Sequence, residues 1–251
     1  MSEILDLSSQ ELGILGFICF CAGLVRGFSG FALSAFVMAT AVTILPPIQL
    51  IPVLWFLEMS AGLLMARGGW RDANRSDALL LVTGNLVGWP IGLWLTKTIS
   101  TTTSKITVLI IIVTLAISQL ARVRITFLNS KKGALISGIV AGVISGLAHV
   151  GGMIVALYAL SRDSDARTMR GTLVTYLFIG SFSSFVFLLA FGVMEKIAMY
   201  RGLSMILPTM VGVWIGTKFF IPKLQPYYRP FCLSLLVGLA LITLLRQIAL
   251  K

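Results

Sequence analysis

Two stretches of this chain constrain its fold more than anything else. Residues 27–57 and residues 133–161 contain no Lys, Arg, Asp or Glu. Each is longer than the ~20 apolar residues that a helix needs to cross a bilayer. Each is also interrupted by glycine or proline, so neither reads as one straight helix. Similar apolar runs recur to the end of the chain, and only 12% of the residues are charged while 57% are hydrophobic. A water-soluble globule of this composition would lack polar surface to cover itself. Disorder is excluded by the same hydrophobicity. A β-barrel would show alternating strands of about ten residues, and none are present. The expected class is therefore an all-α integral membrane protein.

The net charge of +11 does not imply nucleic acid here. Basic residues fall between the apolar runs, where they anchor helix ends and meet lipid phosphates. Cys19, Cys21 and Cys232 lie in apolar segments and read as small hydrophobes, with no disulfide framework, metal site or cofactor expected. The first eleven residues contain Glu3, Asp6 and Glu11 and no basic residue, unlike a secretory signal peptide, so the first apolar segment is expected to be retained.

Counting the runs gives about eight transmembrane elements. The first is broken, over about 12–45. Others follow over about 48–66, 78–96, 106–121, 133–161, 171–194, 202–217 and 231–245. Pro46-Pro47 and Pro52 are read as breaks. The halves echo each other. Ala22-Gly23-Leu24-Val25-Arg26-Gly27 matches Ala141-Gly142-Val143-Ile144-Ser145-Gly146, and Gly88-Trp89-Pro90-Ile91-Gly92 matches Gly212-Val213-Trp214-Ile215-Gly216, at similar offsets. This predicts two duplicated four-element halves, 1–128 and 129–251, with the first element of each half broken at glycines. Paired, glycine-interrupted segments at matching positions point to a transporter whose substrate binds between repeats. Parallel and inverted arrangements of the repeats both fit.

Four groups carry chemistry. Arg26-Gly27-Phe28-Ser29-Gly30 puts a guanidinium inside a membrane element beside backbone that glycine allows to unwind, which suits an anion. Snorkelling of Arg26 to the interface is the bland alternative. His149, with Gly151 and Gly152, occupies the corresponding place in the second half, and a histidine there can relay a proton or bond a freed carbonyl. Glu58 stands alone in its span and is expected to pair with Arg26 or with a donor on another helix, serving as a coupling or charge-balancing group. Asn85 reads mainly as an interhelical hydrogen-bonding residue and is kept as a substrate contact. Arg170 and Thr172, after the solvated run Arg162–Arg170, are candidates for an entry vestibule. Gly84, Gly88, Gly92, Gly212 and Gly216 read as packing residues.

These motifs resemble the sulfite exporter TauE/SafE family. The resemblance rests on AGLVRGFSGF, AGVISGLAHVGG, Trp70-Arg71, GNLVGWPIG and RGTLVTY, and covers essentially the whole chain. It implies an eight-helix permease for sulfur-containing anions such as sulfite, sulfonates or sulfoacetate. A multi-pass protein of the bacterial inner membrane is expected, with the small anion and the bilayer as partners and homo-oligomers compatible with the class. After its first GFxG the chain has Phe31-Ala32-Leu33 where relatives often carry more glycine. Two other readings compete. Gly27-Phe28-Ser29-Gly30 with His149 spells a serine protease dyad, although no catalytic residue is assigned in the preferred reading. An anion channel is the second.

With eight crossings, the Lys/Arg excess is small and favours cytoplasmic termini. An interior negative by ~100 mV favours a leaving anion by ~2.3 kcal/mol per charge, so export is expected to need no coupled ion.

Overall fold

The computed structural model describes residues 5–123, 128, 130–162, 165–219 and 225–249, with the side chains of 225–229 left out. Ten α-helices occur among the described residues: α1 Ser9–Ser29, α2 Leu33–Ala41, α3 Pro47–Asp72, α4 Arg75–Thr98, α5 Thr101–Leu120, α6 Lys131–Ala148, α7 Gly152–Ser161, α8 Ala166–Ala190, α9 Lys196–Lys218 and α10 Gln225–Ala249. Eight are long and apolar enough to cross a membrane. The other two, α2 and α7, are short, and each follows the first helix of its half.

Local chemistry explains most boundaries. Ser8 and Glu11 form a capping box at α1. Asn74, Ser100, Ser130 and Asp165 cap α4, α5, α6 and α8 with side-chain acceptors. Pro47 is the first residue of α3, where a missing N–H costs nothing. Pro52 does not break the chain as expected but lies inside α3. Membrane helices tolerate this because neighbouring helices re-satisfy the backbone. The polar segment after residue 66 is also largely helical. α3 runs to Asp72, where Gly69 lets it lie against Val174 and Gly171 of α8.

Water does not drive helices together inside a bilayer, so close van der Waals approach must. Gly84, Gly88 and Gly92 lie four residues apart on one face of α4. A Cβ at Gly88 would stand 2.0 Å from the Ile139 carbonyl oxygen, and one at Gly92 1.9 Å from that of Val143. Gly138, Gly142 and Gly146 answer from α6. The same device joins Gly23 and Gly27 of α1 to Gly212 and Gly216 of α9. These are the two most extensive helix contacts. α3 packs on α8 and α5 on α10.

The contacts also fix helix directions. Gly84, Gly88 and Gly92 meet successively later residues of α6, so α4 and α6 are parallel. Gly23 and Gly27 likewise meet successively later residues of α9. α3 and α8 are antiparallel, because Trp55 bonds the Ser181 carbonyl at one end while Gly69 meets Gly171 and Val174 at the other. Asn85 meets Tyr176 and Lys97 meets Phe191, so α8 runs with α4. Arg201 near the start of α9 donates to the Leu5 carbonyl just before α1 and to Gln49 at the start of α3, so α1, α3 and α9 point one way and α4, α6 and α8 the other. α2 therefore returns the chain between α1 and α3, and α7 does so between α6 and α8. Among the described residues, 1–128 and 129–251 each hold five alternating helices, of which four are long enough to cross a membrane, as the sequence predicts.

An odd number of helices reverses the second half and redistributes the loops. Among the described residues, Arg67, Arg71, Arg75, Arg122, Lys131, Lys132, Arg162, Arg167, Arg170 and Lys218 face the side opposite the termini. Lys97, Lys105, Lys196, Arg201 and Arg246 face the terminal side. Lys218 stacks over Trp214 at 3.4 Å and Arg75 over Trp70 at 4.9 Å, as residues at a membrane interface do. The eight-crossing partition, which favoured cytoplasmic termini, is replaced by one with the positive excess on the other face.

Two outcomes follow. In a bacterial host, alkaline phosphatase fused after residue 249 should be active and green fluorescent protein dark there, with the converse for fusions at residue 122. The reverse pattern would refute this orientation. Gly88→Val should also lower Tm in detergent by about 5 °C or more, from an overpacking cost of about 1–3 kcal/mol. Gly13→Val, with nothing within 4 Å of its Cβ, should change Tm little.

Candidate functional site

The two broken elements meet. Gly30 ends α1 in the left-handed region at φ 82°, and its N–H donates to the Arg26 carbonyl. His149 ends α6 the same way at φ 56°, donating to the Ser145 carbonyl. Ala32, preceding α2, is also left-handed at φ 72°. For His149 and Ala32 such backbone costs about 1–3 kcal/mol each, so packing must hold it in place. α2 and α7 then begin without any side-chain cap. Their first turns line one cavity, together with Glu58, His149, Val150 and Leu177. Its free volume is about 10 Å³, room for about one water molecule.

Arg26 has no solvent exposure and does not itself line the cavity; it reaches it through Glu58, which does. Its Nη1 donates to the Gly30 carbonyl, which ties the guanidinium to the turn. Its Nη2 stands 3.2 Å from Glu58 Oε2, a buried ion pair between α1 and α3. Ser34 Oγ, from the first turn of α2, donates to Glu58 Oε1 at 2.8 Å. The alignment across the ion pair is poor, and Arg26 Nε, Arg26 Nη2 and Glu58 Oε2 have no hydrogen-bond partner. The Nε/Nη2 edge of the guanidinium thus makes no hydrogen bond, although Nη2 faces Glu58. That Nε/Nη2 edge is one of those on which arginine takes an oxyanion through two parallel bonds. His149 Nδ1 is also without a partner, and its ring sits edge-on to Trp89 at 6.4 Å.

Arg170 approaches the same turn from α8. Its Nη2 donates to the Gly27 carbonyl at 2.6 Å, and its stem packs against Gly30. Asp72 borders the neighbouring Gly171. Two guanidiniums thus hold the carbonyls at the end of α1.

Other candidates stand elsewhere. Gly27 faces α9 and has a packing role. Phe28 is half-buried against the core. Ser29 Oγ donates to the carbonyls of Val25 and Phe31 and accepts from Phe31 N–H, so its hydroxyl is committed to the turn. Asn85 accepts from the Tyr176 hydroxyl at 3.0 Å and joins α4 to α8. Thr172 accepts from Asn74 N–H and ties α8 to the α3–α4 turn. Gly151 lies against Ser145 and Ala141, and Gly152 lines the cavity near Leu177. Ser34 and Ala32 were not singled out from the sequence. A serine in a long uncharged run, one turn from a glycine break, was the available signal for Ser34.

The chain matches the family described as Sulfite exporter TauE/SafE over residues 15–243, and it belongs to that family. No curated protein and no solved structure matches it. The family and the eight apolar helices define a multi-pass membrane transporter.

The ion pair has a measurable consequence. Removing one partner of a buried pair typically costs about 3–5 kcal/mol, because the other charge is stranded. Arg26→Gln and Glu58→Gln should each cause a loss of this order in detergent unfolding. The double variant should recover much of it. Additive losses would show that the two residues do not act as a pair.

Proposed function

We propose that the protein moves small sulfur oxyanions, such as sulfite or sulfonates, across the bacterial inner membrane by alternating access. The observation that carries this reading is the unbonded Nε/Nη2 edge of the buried Arg26, which is paired with Glu58 at a cavity lined by two uncapped helix starts. An oxyanion there gains a bidentate charged contact and the positive ends of two helix dipoles. No lipid group can supply that environment.

The halves 1–128 and 129–251 act as inverted repeats in this reading. α1 pairs with α9 as α6 pairs with α4, and α3 meets α8 across the middle. Substrate sites of inverted-repeat transporters lie between such repeats, at broken helices. The cavity of about 10 Å³ is too small for an oxyanion, so binding requires α2 and α7 to separate. Glu58 holds Arg26 until the anion arrives, and Ser34 holds Glu58. Arg170 draws anions toward the turn from the more basic face of the protein. His149 tunes the site from the second half.

Purified protein in liposomes should carry sulfite with saturable kinetics, at a turnover well below channel rates. Arg26→Lys keeps the charge and the fold but loses the fork. It should lower flux by at least about thirtyfold, the lower end of the 2–5 kcal/mol lost when a buried charged hydrogen bond is truncated. Wild-type flux in Arg26→Lys would remove Arg26 from the site. Unsaturable flux would favour a channel.

A further inference from the structure

An anion arriving at Arg26 meets a guanidinium that already has a counter-ion. The resting pair is neutral: Arg26 is fully buried, Glu58 is 4% exposed, and they face each other at 3.2 Å. A second negative charge on the same guanidinium would leave Glu58 buried without balance, which a low-dielectric interior disfavours strongly. The groups around Glu58 offer no other cation. Ser34 on α2 supplies one hydroxyl to Oε1. Leu177 on α8 and Met153 on α7 are apolar lining. His149 at the end of α6 shares the cavity, with Nδ1 unpartnered. Arg170 on α8 is engaged with the Gly27 carbonyl and lies within electrostatic range of both Arg26 and Asp72. Glu58 Oε2 is the one carboxylate oxygen in the cavity with no hydrogen-bond donor.

We infer that each anion travels with one proton, which Glu58 Oε2 takes up as the anion displaces Glu58 from Arg26. The inference rests on the anion site proposed above. The exchange balances. Before binding the site holds one positive and one negative charge. After binding, Arg26 is paired with the anion and Glu58 is a neutral carboxylic acid whose new O–H can donate to it. No covalent bond breaks, and the proton enters and leaves with the anion. A monoanion then crosses with no net charge, and a dianion crosses with one. This replaces the expectation that export proceeds without a coupled ion. For a dianion the membrane potential still drives exit, through one charge rather than two.

The test uses proteoliposomes clamped at zero potential with potassium and valinomycin, under a tenfold proton gradient, acid outside. Sulfite and methanesulfonate, the latter a fixed monoanion, start at equal concentrations on both sides. Bare liposomes correct for leakage. Wild type should accumulate methanesulfonate about tenfold inside, matching the proton gradient. Glu58→Gln should exchange the anion without accumulating it. Wild-type flux that ends at equal concentrations overturns the proton proposal and leaves the anion site standing. Tenfold accumulation by Glu58→Gln overturns the assignment to Glu58. Absence of protein-dependent flux of either anion overturns the transport reading, and this proposal falls with it. If Glu58→Gln does not fold, the wild-type accumulation ratio still decides whether a proton is carried.

Discussion

A helix that starts within a bilayer leaves backbone N–H groups that lipid cannot satisfy, and most of this structure follows from how they are handled. At the starts of α4, α5, α6 and α8, a Ser, Asn or Asp side chain does the work. At α2 and α7 no side chain does. Those two starts are buried together, between halves that glycine contacts hold close. Irregular backbone at membrane depth survives only inside protein or around a cavity. The tight α1–α9 and α4–α6 contacts provide that shield.

The fold class, the positions of the long helices and the Arg26–Glu58 pairing were legible in the sequence. They depend on charge-free runs and on the high cost of a lone intramembrane charge, both visible in one dimension. The two short helices were not. α2 and α7 are too short to register against a 20-residue window. Their direction follows only from which helices lie parallel, a fact about partners. The glycines at 23, 27, 212 and 216 look like any small-residue stripe until their opposing backbones are known. Proline misled at Pro52, because a helix buried among others does not need every backbone bond. Thr172 and Asn85 are polar residues in the right spans, but their partners turned out to be Asn74 and Tyr176.

The two halves agree in backbone and differ in side chains. Gly30 and His149 make the same left-handed stop, four residues after Arg26 and Ser145 respectively. At the same offset Ser34 corresponds to Met153 and Glu58 to Leu177, and all four line the cavity. One half therefore supplies the charge and the other an apolar wall. An apolar wall lowers the local dielectric and so strengthens the charge-assisted bonds opposite it. A symmetric site with two such ion pairs would bury four charges and would gain no extra contact to one small anion.

This asymmetry bears on how the site opens. α7 is anchored at its far end, where Arg162 Nε donates to Asp77 of α4 at 3.0 Å. α2 has a weaker anchor, the Thr243 hydroxyl on the Ala39 carbonyl at 2.8 Å. At its near end α2 carries Ser34, which is bonded to Glu58. A neutral Glu58 would change that bond, because its acid proton can donate where the carboxylate only accepted. In the proposed mechanism the motion of α2 is thus linked to the protonation of Glu58, whereas α7 contributes an apolar wall with no charge to respond. On that proposal the first half both binds the anion and senses that it is bound, and the second half supplies the apolar surface opposite it.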